Sequence, residues 1–569
     1  MTDDPRARAL PPEPDDPEAQ SVAETQPVPP PRQGASSGAV ASAMVAAGIF
    51  LSRVAGLVRE RVFAQYFGTS VYADVFKAGL RMPNVLQNLL GEGTLSASFI
   101  PVYAELVHQG RKEEAGKVAG AIFSLLFAIA GALVLIGVAA APLLVSVFLP
   151  GFEGERRALT IDVVRILLPM TGVLVLSAWS LGILNSHRYF FLSYFAPVLW
   201  NAAMIATLLL LGGGMHPRRL VVALAWGALA GGFLQLLVQL PGVLKLERQL
   251  KINWGMKLEG VRETMKNAGP AVMGRGVVQI SGWLDNILAS FLAIGAVATL
   301  QYAQTLYLLP ISLFGMSVAA AELPELARQR MGEADVLRRR ASGGLERIAF
   351  YVVPSFVGFL ALGDVVVGGL YQTGEFDRGD TLVVYAVLAA FSLGLLATTA
   401  SRMLSSTFFA LRDTRTPARY AMLRVAISMV LATVLMLQFE SITVGGTTIP
   451  AGVFGDVRIG GQPLGPVGLA LGGVTGAWLE WALLKRALRR RIGPVGGRPA
   501  MLARMFGAAL AAAALGWGVR LLVEGTGPFV QAVLVLGVYG VAYFGIGAAL
   551  GLEQSGAIFR RFRNLAGRG

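Results

Sequence analysis

Cysteine is absent from this chain, which rules out disulfides and thiolate chemistry. Its three histidines, His108, His187 and His216, are scattered without ligand spacing, which argues against a metal centre. Charge is scarce as well, at 15% of residues against 54% hydrophobic, with a mean hydropathy of +0.60. That balance cannot cover a soluble globule of 569 residues with a polar surface, so the chain reads as a polytopic membrane protein. The net charge of +14 does not form one basic face. Lys and Arg sit in short clusters between apolar runs, which argues against nucleic acid and for a topological role at anionic lipid headgroups.

Residues 1–37 are rich in Pro, Asp, Glu and Ser, as in Pro11-Pro12-Glu13-Pro14 and Pro27-Val28-Pro29-Pro30-Pro31. Such a segment buries too little apolar area to offset its ordering entropy and is expected to be a disordered cytoplasmic tail. From Ala39 onward about fourteen apolar segments approach the roughly 20 residues that cross a hydrocarbon layer, giving an all-α fold. Pro83 is expected to interrupt the second span and Pro310 the eighth. Alternate connections differ in cations. One set carries Arg111 and Lys112, then Lys245 to Lys266, Arg338 to Arg340, Arg412 to Arg419 and Arg489 to Arg491. The other carries little beyond Arg156, Arg157, Arg218, Arg219, Arg378 and Arg458. The positive-inside rule makes the richer set cytoplasmic and predicts that both termini lie inside.

A shift of 225 residues superposes Glu60 on Asp285, Ala64 on Ala289, Tyr66 on Phe291, Ala73 on Ala298 and Ala78 on Ala303. The constant offset implies two pseudo-symmetric six-helix lobes, 38–250 and 251–492, followed by two further spans within 493–569. Repeated halves with interrupted helices are the pattern of secondary transporters, whose substrate binds between the halves. The segment 438–464, rich in Gly, is expected to form an external hairpin without an assigned role.

Ionisable side chains at bilayer depth face protein or water, and so mark functional candidates. Arg53 and Arg59 lie in the first span. In the second, Asp74, Lys77, Arg81, Asn84 and Asn88 recur on one helical face that Glu92 continues. Asp74 could pair with Lys77 or Arg81 between packed helices, and Asp285 could balance an Arg or bind a cation. Arg275 stands between two glycines in the seventh span; Arg165 and Arg402 either snorkel or pair. Arginines at 53, 59, 81 and 275 outnumber the unpaired carboxylates, so the interior should attract anions. A phosphate-bearing substrate follows, because the guanidinium fork donates two parallel hydrogen bonds and stays charged.

The runs Leu51 to Glu60, Ala64-Gln65-Tyr66-Phe67-Gly68, Arg81-Met82-Pro83-Asn84, Gly91-Glu92-Gly93-Thr94, Ala196-Pro197-Val198-Leu199-Trp200-Asn201, Leu309-Pro310-Ile311-Ser312 and Phe408 to Pro417 occur together in this order. In that combination the chain resembles the MurJ (MviN) lipid II flippases of the MOP exporter superfamily over about residues 39–551. The resemblance implies a bacterial inner-membrane flippase that carries the undecaprenyl-pyrophosphate-linked precursor from the cytoplasmic to the periplasmic leaflet. It further implies alternating access around a cationic cavity, no cofactor, and a polyprenyl-tail groove on the last two spans. Carried over residue by residue, Arg53, Arg59, Asp74 and Glu92 match cavity positions. Gln87 and the pair Gln304-Thr305 depart from the family pattern, and Arg81 or Arg275 is expected to restore the missing charge.

Other readings keep their place. A flippase for another polyprenyl-pyrophosphate-linked saccharide obeys the same physics. A cation or drug antiporter of the same superfamily would need an unpaired intramembrane carboxylate. A non-transporting scaffold would account for Gln87 and Thr305. Energy could come from a monovalent ion or from the membrane potential, worth about 2.3 kcal/mol per charge per 100 mV.

Overall fold

The computed structural model describes residues 35–328, 334–444, 446–455 and 457–556, with all side chains in these but those of 35–44, 46 and 274–282. The first half contains helices α1 (Ala35–Phe67), α2 (Val71–Leu90), α3 (Glu92–His108), α4 (Lys112–Ala139), α5 (Ala141–Phe148), α6 (Gly154–Ser186), α7 (Phe190–Leu211) and α8 (Pro217–Leu246). The second half contains α9 (Glu259–Ser290), α10 (Ala296–Pro310), α11 (Ser317–Arg328), α12 (Ala334–Ala361), α13 (Gly363–Tyr371), α14 (Arg378–Ser392), α15 (Leu395–Ala410), α16 (Arg415–Phe439) and α17 (Gly465–Ile492). The last pair is α18 (Pro499–Leu522) and α19 (Pro528–Ala549).

The 225-residue offset is written into these boundaries. α2 begins at Val71 and α10 at Ala296; α6 and α14, α7 and α16 begin one residue or less from the same shift. The offset slips by three residues at α12 and α13 and breaks widely before α17, where two short antiparallel hairpins, Ile442–Val444 with Thr447–Ile449 and Arg458–Ile459 with Gln462–Pro463, are inserted. Within the first half α1 packs on α7, α7 on α8, and α6 on α2, α4 and α8. Within the second, α16 packs on α17, α10 on α14, and α15 on α11, α12 and α17. α18 packs on both α19 and α12 and buries Ala508, Ala509, Ala512, Ala513 and Gly516, small residues that let backbones approach closely. They dock on α12, where Tyr539 and Tyr543 donate to the carbonyls of Pro354 (2.6 Å) and Phe350 (2.7 Å).

Ten described helices are long and apolar enough to cross a membrane, or eleven if the bent pair α14 and α15 counts as one span. The expected fourteen includes three more. α1 and α9 contain side chains outside the described residues, and α2 carries Asp74, Lys77 and Arg81 within 20 residues. The prolines act differently from expectation. α2 runs unbroken through Pro83, and the chain breaks instead at Gly91, whose N–H bonds the Gln87 carbonyl at 2.7 Å. Pro310 does not end its span either: the six residues Ile311–Met316 form a π-helical turn that absorbs the lost donor and continues into α11.

The two faces differ as the loop cations suggest. On the cation-poor face the lobes are fused by Phe63, Phe76, Tyr302, Tyr371 and Phe376, all buried, with the Tyr302 and Tyr371 rings 4.8 Å apart. Toward the cation-rich face the halves meet mainly where the start of α9 leans on α3 and α4, with Val261 buried beside Val102 and Val118.

Candidate functional site

A cavity of about 230 Å³ lies between α1, α2, α7 and α10, on the cation-rich side of the aromatic plug. Its polar lining is Arg59, Glu60, Lys77, Arg81, Asn84, Gln301, Gln304 and Thr305. Glu60 organises it. One carboxylate oxygen meets Arg59 Nη2 at 2.6 Å, and the other meets Lys77 Nζ at 2.7 Å. Arg59 also donates to Asn201 Oδ1 (3.1 Å) and lies over the Trp200 ring, while Lys77 rests 3.7 Å from the Tyr302 ring centroid. Arg81 donates through Nε (2.8 Å) and Nη1 (3.2 Å) to the Asn286 side-chain oxygen, with that amide turned to face it. Three cations against one carboxylate leave the lining itself at net +2, while Asp285 of α9, outside the lining, acts electrostatically on Arg81.

Of the residues expected at the site, the structure brings Arg59, Arg81 and Asn84 to this cavity. Arg53, six residues earlier on α1, is exposed about 9 Å further toward the cation-rich face at 1.5 Å per residue, and does not line it. Gln87 is half-buried and Glu92 exposed beyond the cavity's edge. The Arg275 side chain lies outside the described residues.

Asp74 is placed elsewhere. Fully buried, it pairs with Arg156 (2.6 Å) instead of Lys77 or Arg81, and accepts from the backbone N–H groups of Gly295 (2.7 Å) and Ala298 (2.8 Å). It therefore caps α10 of the opposite lobe, satisfying orphan amides at a positive helix end. Gly295 has φ +92° and lies so close to the Thr69 carbonyl that a Cβ would overlap it. Around this cap the lobes are stitched further. Arg61 donates to the carbonyls of Gly369 (2.8 Å) and Leu370 (2.9 Å), Tyr302 to that of Gly68 (3.1 Å), and Thr69 Oγ1 to Asp380 (2.5 Å). Gln462, from the inserted hairpins, donates to both Asp380 (2.8 Å) and Thr69. Sequence reasoning missed the roles of Glu60, Lys77 and Arg61. Lys77 was on the polar stripe, but the tertiary partner that gives it a purpose, Glu60, is seventeen residues away.

Residues 63–539 match the family model described as lipid II flippase MurJ. The chain belongs to this family. Among MurJ relatives, a probable lipid II flippase MurJ of Rhizobium tropici is 32% identical over 389 residues, 68% of this chain and 73% of that one. The lipid II flippase MurJ of Burkholderia cenocepacia is 31% identical over 65% of this chain and 73% of its own. A solved lipid II flippase MurJ in an inward closed conformation superposes with TM-score 0.67 at 22% identity, covering 89% of this chain and 99% of that one. An inward-facing multidrug resistance MATE family transporter of the MOP superfamily follows at 0.60 and 19%, over 78% and 94%. The MurJ and MATE structures thus share this fold of two helical lobes.

Proposed function

We propose that the chain flips lipid II across the bacterial inner membrane by alternating access, the diphosphate being held at Arg59, Lys77 and Arg81. The observation that carries the reading is the net +2 lining of a cavity closed toward one face by packed aromatics, in a MurJ family member. Glu60 keeps Arg59 and Lys77 apart and pre-oriented when no anion is present; a diphosphate competes for the same N–H donors with more negative charge. Gln301, Gln304 and Thr305 supply neutral donors on the opposite lobe, so one anion can touch both halves. The cation-rich face is cytoplasmic in this reading. The conformation is therefore one that receives substrate from inside, and the polyprenyl tail runs along the exposed apolar side of α18 and α19, where Leu515, Leu522, Phe529 and Val533 are exposed.

A drug/cation antiporter needs a net negative lining, opposite to the sign found. Depletion in the host is the test: lipid-linked precursor should accumulate in the cytoplasmic leaflet and be cleared by the wild-type chain. Clearance by a chain bearing R59A, K77A and R81A together would overturn the reading.

A further inference from the structure

The second lobe holds intramembrane charge that the cavity does not use. Arg402 is the one exposed residue of α15; every other residue of that helix is buried or half-buried. No ion pair or hydrogen bond of Arg402 occurs among the described residues. It lies eight residues before the end of α15, so about 12 Å from that end along the helix axis at 1.5 Å per residue. Arg424 on α16 pairs with Glu480 on α17, Nη1 to Oε2 at 2.8 Å, leaving the carboxylate nearly covered and the guanidinium one-third open. Both groups act electrostatically on Arg402, as does Tyr307, whose hydroxyl meets Thr398 Oγ1 at 3.0 Å one turn before it. The Oγ of Ser401, 4% exposed, and that of Ser428, one turn along α16 from Arg424, have no hydrogen-bond partner among the described residues.

Three guanidiniums, Arg81, Arg402 and Arg424, share two carboxylates, Glu480 and Asp285, along this path. A net positive charge at this depth is costly unless an anion completes it. Asp285 on α9 is the carboxylate that feels both Arg81 of the cavity and Arg424. It is the repeat counterpart of Glu60, which likewise stands between two cations.

We propose that Arg402 and Arg424 form a second anion-binding station inside the second lobe, taking a lipid-borne phosphate and joined to the central cavity through Asp285. The station gives a translocating phosphate a place to rest on the lobe that contributes no cation to the cavity among the described residues. Its ligand, though not its existence, rests on the flippase reading.

The test is binding of undecaprenyl diphosphate, and separately of phosphatidylglycerol, to the full chain in phosphatidylcholine nanodiscs. Arg402→Gln should weaken one of these ligands at least tenfold, Arg402→Lys should recover part of the loss because the fork is missing, and Glu480→Gln should tighten binding several-fold. A gain in Glu480→Gln cannot arise from misfolding. Loss of the diphosphate assigns the station to substrate; loss of phosphatidylglycerol alone assigns it to a phospholipid headgroup. Wild-type affinity for both ligands in Arg402→Gln and Glu480→Gln would overturn the station. If Arg81→Gln loses diphosphate while Arg402→Gln loses neither ligand, the flippase reading stands and the station falls. If the wild type binds phosphatidylglycerol through Arg402 but no diphosphate, the station stands and that reading falls.

Discussion

The cation-poor end of the molecule and its central cavity use the same residue types for opposite ends. At the sealed end the buried carboxylates are saturated: Asp74 by Arg156 and two backbone amides, Asp364 by Arg378 and Arg520, and Asp380 by the neutral donors of Thr69 and Gln462. In the cavity one carboxylate is left to serve two cations, with Arg81 answered by the Asn286 amide and by Asp285 outside the lining. Complete pairing makes a lock, whereas a cationic surplus makes a binding site.

The comparison can be broken most severely at Asp74. Asp74→Ala leaves Arg156 buried without its partner and α10 uncapped, and should cost roughly 3–5 kcal/mol, read as a lower thermal midpoint in detergent. Next come the cavity cations. Arg81→Gln or Lys77→Gln should keep the fold yet weaken diphosphate binding about tenfold or more, since a hydrogen bond to a charged group is worth roughly 1.5–3 kcal/mol. Gln462→Ala removes one neutral donor from the lock and should cost about 1 kcal/mol, read as a slightly lower thermal midpoint in detergent. Arg53→Gln should change binding least, because its side chain lies outside the cavity.

Much of this was legible in the sequence because spans, loop cations and the repeat are local or periodic signals. The polar face of α2 was readable from spacing alone, and Arg81 and Asn84 lie at the cavity. The partners were not readable. Asp74 reaches residues 82 and 221 positions away, and no helical period connects it with Gly295. Arg53 and Arg59 were alike in sequence, but six residues turn a helix by about 240°, so only one of them faces the cavity. The hairpin segment read as an appendage because its contribution, Gln462, acts only once the lobes meet.

The central claim is that surplus cation around Glu60 grips a diphosphate. Titration of undecaprenyl diphosphate against Glu60→Gln in nanodiscs tests it most directly. Freed from their carboxylate, Arg59 and Lys77 should bind the diphosphate more tightly than the wild type does, with a steeper salt dependence. Unchanged or salt-independent binding by a folded Glu60→Gln protein would contradict it.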